Sequence, residues 1–191
     1  MIRISTAAVV CVFWCSAALA QGATQWATVR TNSPDQDAAP NVAKIDALQD
    51  AVADAWQRMP LTQRRAVFVS APPESYGVYE ERNSNTFKVG EKLITYVEPI
   101  GYTWTKNADG TYNYGVSVDF LVKRSDGKIL GGQEKLLKFA KKSRVRNQEL
   151  MLVLTLSLSA MEPGDYLVEY KLHDNQSSKE SKFNQKFTIE Q

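Results

Sequence analysis

One histidine, His173, and two cysteines, Cys11 and Cys15, are the strongest nucleophile and base candidates in a chain of 191 residues. A Ser-His-Asp relay needs an imidazole with a nucleophile on one nitrogen and an orienting carboxylate on the other. His173 lies beside Asp174 and Asn175 at the end of an expected strand, on the face opposite Tyr170 and Leu172. That position reads as an exposed His at a loop edge. Both cysteines precede Ala20, inside a segment expected to be removed, so thiol catalysis, thiolate zinc sites, iron–sulfur clusters and c-type haem attachment are not expected. A zinc site with two or three His ligands cannot form within one chain. No metal site and no cofactor is expected.

Carboxylates remain. Glu80, Glu81, Glu91, Glu98 and Asp119 fall in the first half of the strand-rich region. Two carboxylates about 5–9.5 Å apart can hydrolyse a glycosidic bond, and carboxylates with backbone oxygens can collect Ca²⁺. No D-x-D-x-D-G loop is present, and Glu80 and Glu81, as neighbours, point to opposite faces of a strand. The alternative function is therefore a carboxylate-dependent hydrolase of envelope glycans, which needs two of Glu80, Glu81, Glu98 and Asp119 to converge. No Gly-x-Gly-x-x-Gly and no Gly-Lys-Ser/Thr follows a strand, so nucleotide chemistry has no support.

Composition bounds the rest. The chain is 43% hydrophobic and 23% charged, with 23 Lys and Arg against 21 Asp and Glu, a net charge of +2. That balance supplies no whole-molecule attraction to nucleic acid. Residues 1–20 read as a signal peptide: Arg3, an apolar run from Ala7 to Trp14, and an A-x-A site at Ala18-Leu19-Ala20. The apolar stretch is too short to span a bilayer comfortably. Cys15 follows Phe13-Trp14 where a lipobox wants small residues. The protein is expected to be exported, to a periplasm or beyond, with no transmembrane segment after cleavage. Without disulfides its core alone must hold it.

Residues 21–40 read as a polar tether with Trp26 as its large apolar residue. An amphipathic helix is expected over 41–59, capped by Asn41 and stopped by Pro60. Val42, Ile45, Val52, Ala55, Trp56 and Met59, with Leu48 beside them, share one face; Asp46, Asp50 and Asp54 share the other. From Arg65 the period changes to two. Strands are expected at Ala66–Val69, Tyr76–Glu81, Leu93–Glu98, Tyr102–Thr105, Tyr112–Val122, Ile129–Phe139, Leu150–Leu158, Tyr166–Leu172 and Phe183–Ile189. Turns fall at Asp109-Gly110, Asp126-Gly127 and Pro163-Gly164-Asp165. Leu150–Leu158 begins apolar on both faces and is expected centrally in a sheet.

The pattern predicts a mainly β domain over 64–191, an antiparallel immunoglobulin-like sandwich of eight or nine strands preceded by one helix, with a small barrel as the alternative. The Pro163-Gly164-Asp165-Tyr166 turn before the terminal hairpin resembles those of exported bacterial sandwich modules, a likeness that implies no activity.

Two local features suggest a contact surface. Lys135, Lys138, Lys141, Lys142, Arg144 and Arg146 follow one another with no acid between Glu134 and Glu149. They suit an anionic lipid, an acidic glycan or an acidic protein face; equally, they suit a solvated connection or a Lys-blunted edge strand. The Asp46/Asp50/Asp54 stripe offers an intramolecular partner for the same run. The second feature is the aromatic concentration between Tyr76 and Tyr114. Tyr112 and Tyr114 share the core face of Val116 and Val118, leaving Tyr102 and Trp104 as the pair for an exposed platform. Asn175-Gln176-Ser177 fits the N-glycosylation pattern. The expectation is a non-enzymatic exported binding or assembly module. Its partner would be a protein or anionic component of the envelope, met through Lys138, Lys141, Lys142, Arg144 and Arg146 and an aromatic hairpin at Tyr102 and Trp104.

Overall fold

A computed structural model describes residues 35–191 except Ala160, with side chains from Asn41 onward. The expected signal peptide and most of the expected tether, Trp26 included, lie outside the described residues. The helix, α1 (Asp35–Arg58), starts before the expected cap at Asn41. The described strands are β1 (Thr62–Phe68), β2 (Thr86–Lys88), β3 (Lys92–Ile100), β4 (Thr105–Lys106), β5 (Tyr112–Arg124), β6 (Ile129–Ser143), β7 (Leu152–Ser157), β8 (Gly164–Asp174) and β9 (Glu180–Glu190). They form a three-stranded sheet, β1-β3-β7, and a six-stranded sheet, β2-β9-β8-β5 with β4 and β6 both pairing β5. The protein is thus mainly β, with two sheets and one N-terminal helix.

Period-two alternation explains the core. Val116 and Val118 of β5, Tyr166, Val168, Tyr170 and Leu172 of β8, and Phe183, Phe187 and Ile189 of β9 point to one side. Leu93 and Val97 of β3 and Leu152, Leu154 and Leu156 of β7 meet them from the other sheet in one buried cluster. Between the sheets, Thr95 Oγ1 donates to Gln185 Oε1 at 2.8 Å. Burial pushes the Tyr170 phenol up to about 12.

Three expectations are corrected. First, the Leu150–Leu158 segment is not central: among the described residues β7 pairs only β3 and ends the three-stranded sheet. Met151 and Val153, its outward apolar residues, pack on a second cluster of Val69, Ile94 and Tyr96. Apolarity on both faces reports two covering layers, and it says nothing of how many strands lie alongside. Second, Tyr76–Glu81 is no strand; an isolated bridge of Val69 with Glu81 joins it to the rest, and a second, Ser75 with Val78, closes a local turn. This segment lies over β3: Tyr79 stacks on Tyr96 with ring centroids 4.1 Å apart, and Gly77 N donates to Tyr96 Oη at 2.8 Å. Third, β2 was not expected. Only Phe87 of its three residues is buried, and it pairs parallel to β9, leaving too short a pattern to read.

The helix lies on the domain along the seam between its apolar and acidic stripes. Ala53 and Trp56 are buried, whereas Val42, Ile45, Leu48 and Val52 are exposed. Trp56 Nε1 donates to the carbonyl of Tyr102 at 2.9 Å. Lys179 Nζ donates to the carbonyls of Gln57 and Gly101 at 3.0 and 2.9 Å, satisfying an acceptor that the helix end leaves open. Among the described residues no helix is long and apolar enough to cross a membrane.

Candidate functional site

The basic run is carried by β6 and the connection that follows it. Among the described residues β6 pairs only with β5, and most of its side chains are exposed. Register splits the run. Lys138 lies opposite Ser117 and Lys142 opposite Asn113, on the face away from the core, while Lys141 lies opposite Tyr114, on the core side. Lys141 sits 5.9 Å from the centroid of the Phe139 ring. Two of the six cations are neutralised. Lys142 Nζ is 2.6 Å from Asp109 Oδ2, which holds the Asp109 carboxyl well below its ordinary value together with hydrogen bonds from Thr111. Arg146 pairs with Asp50 of α1, so the acidic stripe meets the run at one residue. Lys138, Lys141 and Arg144 make no ion pair among the described residues.

Tyr102 and Trp104 are not an exposed platform. They are 0% and 6% exposed. Trp56 stacks on Trp104 and meets Tyr102 edge-on, each with centroids 5.2 Å apart, and β4 is reduced to Thr105–Lys106. Their polar atoms converge on one acceptor. Tyr102 Oη and Trp104 Nε1 donate to the carbonyl of Asn147 at 2.8 and 2.9 Å. Burial drives the Tyr102 phenol far above its ordinary value. The pair thus fixes the β6–β7 connection from beneath. The alternation that placed Tyr112 and Tyr114 by face could not place these two, because they enter the core from a loop.

The carboxylates do not form one cleft. Glu98 is buried on β3, where it accepts from Tyr96 Oη at 2.7 Å. Glu80 accepts from Ser70 Oγ at 2.8 Å in the covering segment. Asp119 belongs to the other sheet, on its outer face. Among the described residues no group of three His, Cys, Asp or Glu side chains is placed to hold a metal ion.

Asp119 instead joins His173 and Glu180, an array not expected from the sequence. His173 Nε2 lies 2.6 Å from Asp119 Oδ2, and Nδ1 lies 3.0 Å from Glu180 Oε1. Both ring nitrogens therefore face carboxylates, and neither is left to activate a nucleophile as a relay requires. Glu180 is also bound by Lys171 Nζ at 2.8 Å. Asp119 has a further task. The β5–β6 register shifts between Val118 and Phe120, and Lys135 takes a left-handed φ of 54°. Asp119 Oδ1 accepts the Lys135 N–H at 2.8 Å, occupying a donor at the bulge.

This bracing has a pH signature. Burial pulls the Asp119 carboxyl upward, but the Lys135 N–H and His173 outweigh it and leave the group below its ordinary value. Lys171 lowers Glu180 likewise. A carboxylate depressed on folding adds stability above its unfolded pKa of about 4, and that stability disappears as pH falls through the folded value. Asp119→Asn should therefore destabilise by about 1 kcal/mol at neutral pH, with the deficit shrinking as pH falls below the unfolded value of about 4. Urea midpoints across that range test this, and a deficit that does not depend on pH refutes it.

Asn175 makes another cross-strand link. Its Nδ2 donates to the carbonyl of Phe139 at 2.9 Å and its Oδ1 accepts from Ser117 Oγ at 3.0 Å, so the amide of the Asn-Gln-Ser pattern is already spent.

No protein-family model matches the sequence, and no curated protein matches it. Among solved structures, the C-terminal domain of Wzt is similar at 15% identity, covering 71% of this chain and 77% of that one, with a TM-score of 0.40. A Thermotoga maritima protein described as a superoxide reductase is similar at 15% identity, covering 56% of this chain and 81% of that one, with a TM-score of 0.32.

Proposed function

We propose that this protein is an exported, non-enzymatic binding or assembly module. It contacts a protein or anionic component of the cell envelope through the cationic edge formed by β6 and the connection after it. One observation carries this reading. Lys138 and Lys141 are exposed on β6, the outer strand of the larger sheet, and Arg144 is exposed just after it, and none is ion-paired among the described residues. Cations left unpaired beside an open strand edge attract an anionic surface at long range and leave backbone groups for close contact. Tyr102 and Trp104 contribute by holding the connection in place and make no contact themselves.

Retention of the exported protein on purified envelope fractions, measured across a salt series, tests the reading. Retention should weaken as ionic strength rises. The triple variant Lys138→Ser/Lys141→Ser/Arg144→Ser should bind at least about tenfold more weakly at low salt, a loss of about 1.4 kcal/mol, and should respond less to salt. Equal retention of both proteins at every ionic strength sinks the idea.

A further inference from the structure

A cavity of about 480 Å³ opens beside the cationic edge, between α1 and the β6–β7 connection. Gln49, Tyr112, Arg144, Gln148 and Glu149 line it. No hydrogen bond among the described residues uses the side-chain polar atoms of any of these five. Several charged groups on another face are committed. In the cavity on the outer face of the larger sheet, for example, Asp119 is bound to His173, Glu169 to Lys123 and Lys171 to Glu180.

The connection beside the cavity is anchored at Asn147. The Asn147 carbonyl holds both Tyr102 and Trp104. The Asn147 side chain donates to Tyr114 Oη at 3.2 Å and accepts from Glu149 N at 2.8 Å. Arg146 is fixed by Asp50. The backbone that carries Arg144, Gln148 and Glu149 is thereby anchored on either side of Asn147, while their side chains stay free to turn towards a ligand.

The chemistry of the wall selects the ligand. Two primary amides each offer donors and an acceptor, Arg144 offers donors only, Glu149 acceptors only, and Tyr112 an aromatic ring. An apolar ligand would leave these groups without partners. A compact anion would use Arg144 and oppose Glu149, and the Arg146–Asp50 pair adds no net charge. A ring bearing several hydroxyls, each both donor and acceptor, answers all of them, and its C–H face suits the tyrosine. The volume falls in the range of small-ligand sites.

We infer that this cavity is a saccharide-binding site for an uncharged sugar unit, held by Gln49, Gln148, Arg144 and Glu149 and packed on Tyr112. The site goes beyond the cationic-edge reading and shares only Arg144 with it.

Titration of the ¹⁵N-labelled protein with the N-acetylglucosamine trimer and with maltotriose tests the site, with the galacturonic acid trimer as the acidic probe. At least one neutral trimer should give saturable shifts confined to Gln49, Tyr112 and the Arg144–Glu149 connection, insensitive to salt. The Gln49→Ala/Gln148→Ala variant should bind it at least about tenfold more weakly, about 1.4 kcal/mol, with the rest of its spectrum unchanged. Lys138→Ser/Lys141→Ser should bind it as the wild type does. The inference is overturned if neither neutral trimer gives saturable shifts, if the shifts fall elsewhere, or if the double glutamine variant binds normally. Salt-sensitive binding of the acidic trimer alone, lost in the double lysine variant, also overturns it while leaving the cationic edge standing.

Discussion

Trp56→Ala is expected to destabilise the domain by about 3–5 kcal/mol. A buried aromatic truncated to alanine loses its transfer energy and leaves a cavity that neighbours fill only in part. The neighbours here are poorly placed to fill it. Trp104 and Tyr102 are tied to the Asn147 carbonyl, and Tyr102 also stacks on Tyr114. The ring of Trp56 contributes two aromatic contacts and one hydrogen bond to the Tyr102 carbonyl. Its removal also releases that acceptor. In a domain of this size the loss lowers Tm by on the order of 10 °C. Val52→Ala, one turn earlier on the same apolar stripe but exposed, should stay within about 0.5 kcal/mol of wild type. Denaturant unfolding of both variants checks the contrast. Similar costs for the two would show that the helix is not held by Trp56.

That contrast shows what the amphipathic pattern could and could not say. Period 3.6 identified the helix, and it grouped Trp56 with Val42, Ile45 and Val52. It did not tell which side of the apolar stripe meets the sheet. Docking is decided by Trp56 reaching the aromatic pair and by Asp50 reaching Arg146, and both partners lie far along the chain. The stripe and the basic run were each visible as charge patterns, and their meeting at one ion pair needed the fold.

Strand faces were legible wherever alternation was long. Tyr166 to Leu172 and Tyr112 to Val118 fall inward as read. The Asp119–His173–Glu180 array was not legible, although parity alone places Asp119 and His173 on the outer face. Their meeting depends on the register that sets Ser117 opposite His173 and on the hairpin that sets His173 opposite Glu180. A shift of one residue in either would separate them. His173 thus reads as a loop-edge residue in the sequence and lies clamped between two carboxylates in the fold. Tyr102 and Trp104 show the opposite error. Their alternation is only a few residues long; burial of their rings against Trp56 and Tyr114 draws both inward, and the Asn147 carbonyl offsets the cost of burying their donors.

The second large effect concerns Gly101, which joins β3 to the aromatic pair. Its φ is +79°, and an added Cβ would stand 2.2 Å from the carbonyl oxygen of Pro60. The left-handed conformation alone costs an L side chain about 1–2 kcal/mol. The clash is with backbone, so relief requires the helix exit at Met59-Pro60 to shift. That exit is pinned: Lys179 bridges the carbonyls of Gln57 and Gly101, and Trp56 is bonded to the carbonyl of Tyr102, the next residue. Overpacking of this kind adds about 1–3 kcal/mol. Gly101→Ala should therefore cost roughly 3 kcal/mol in total. Gly110 provides the control, because its φ is also +79° and no heavy atom lies within 4 Å of its Cβ position. Gly110→Ala should show the conformational cost alone, about 1 kcal/mol. The difference between the two variants in urea unfolding isolates the contact with Pro60, and equal costs would mean that the helix exit yields freely.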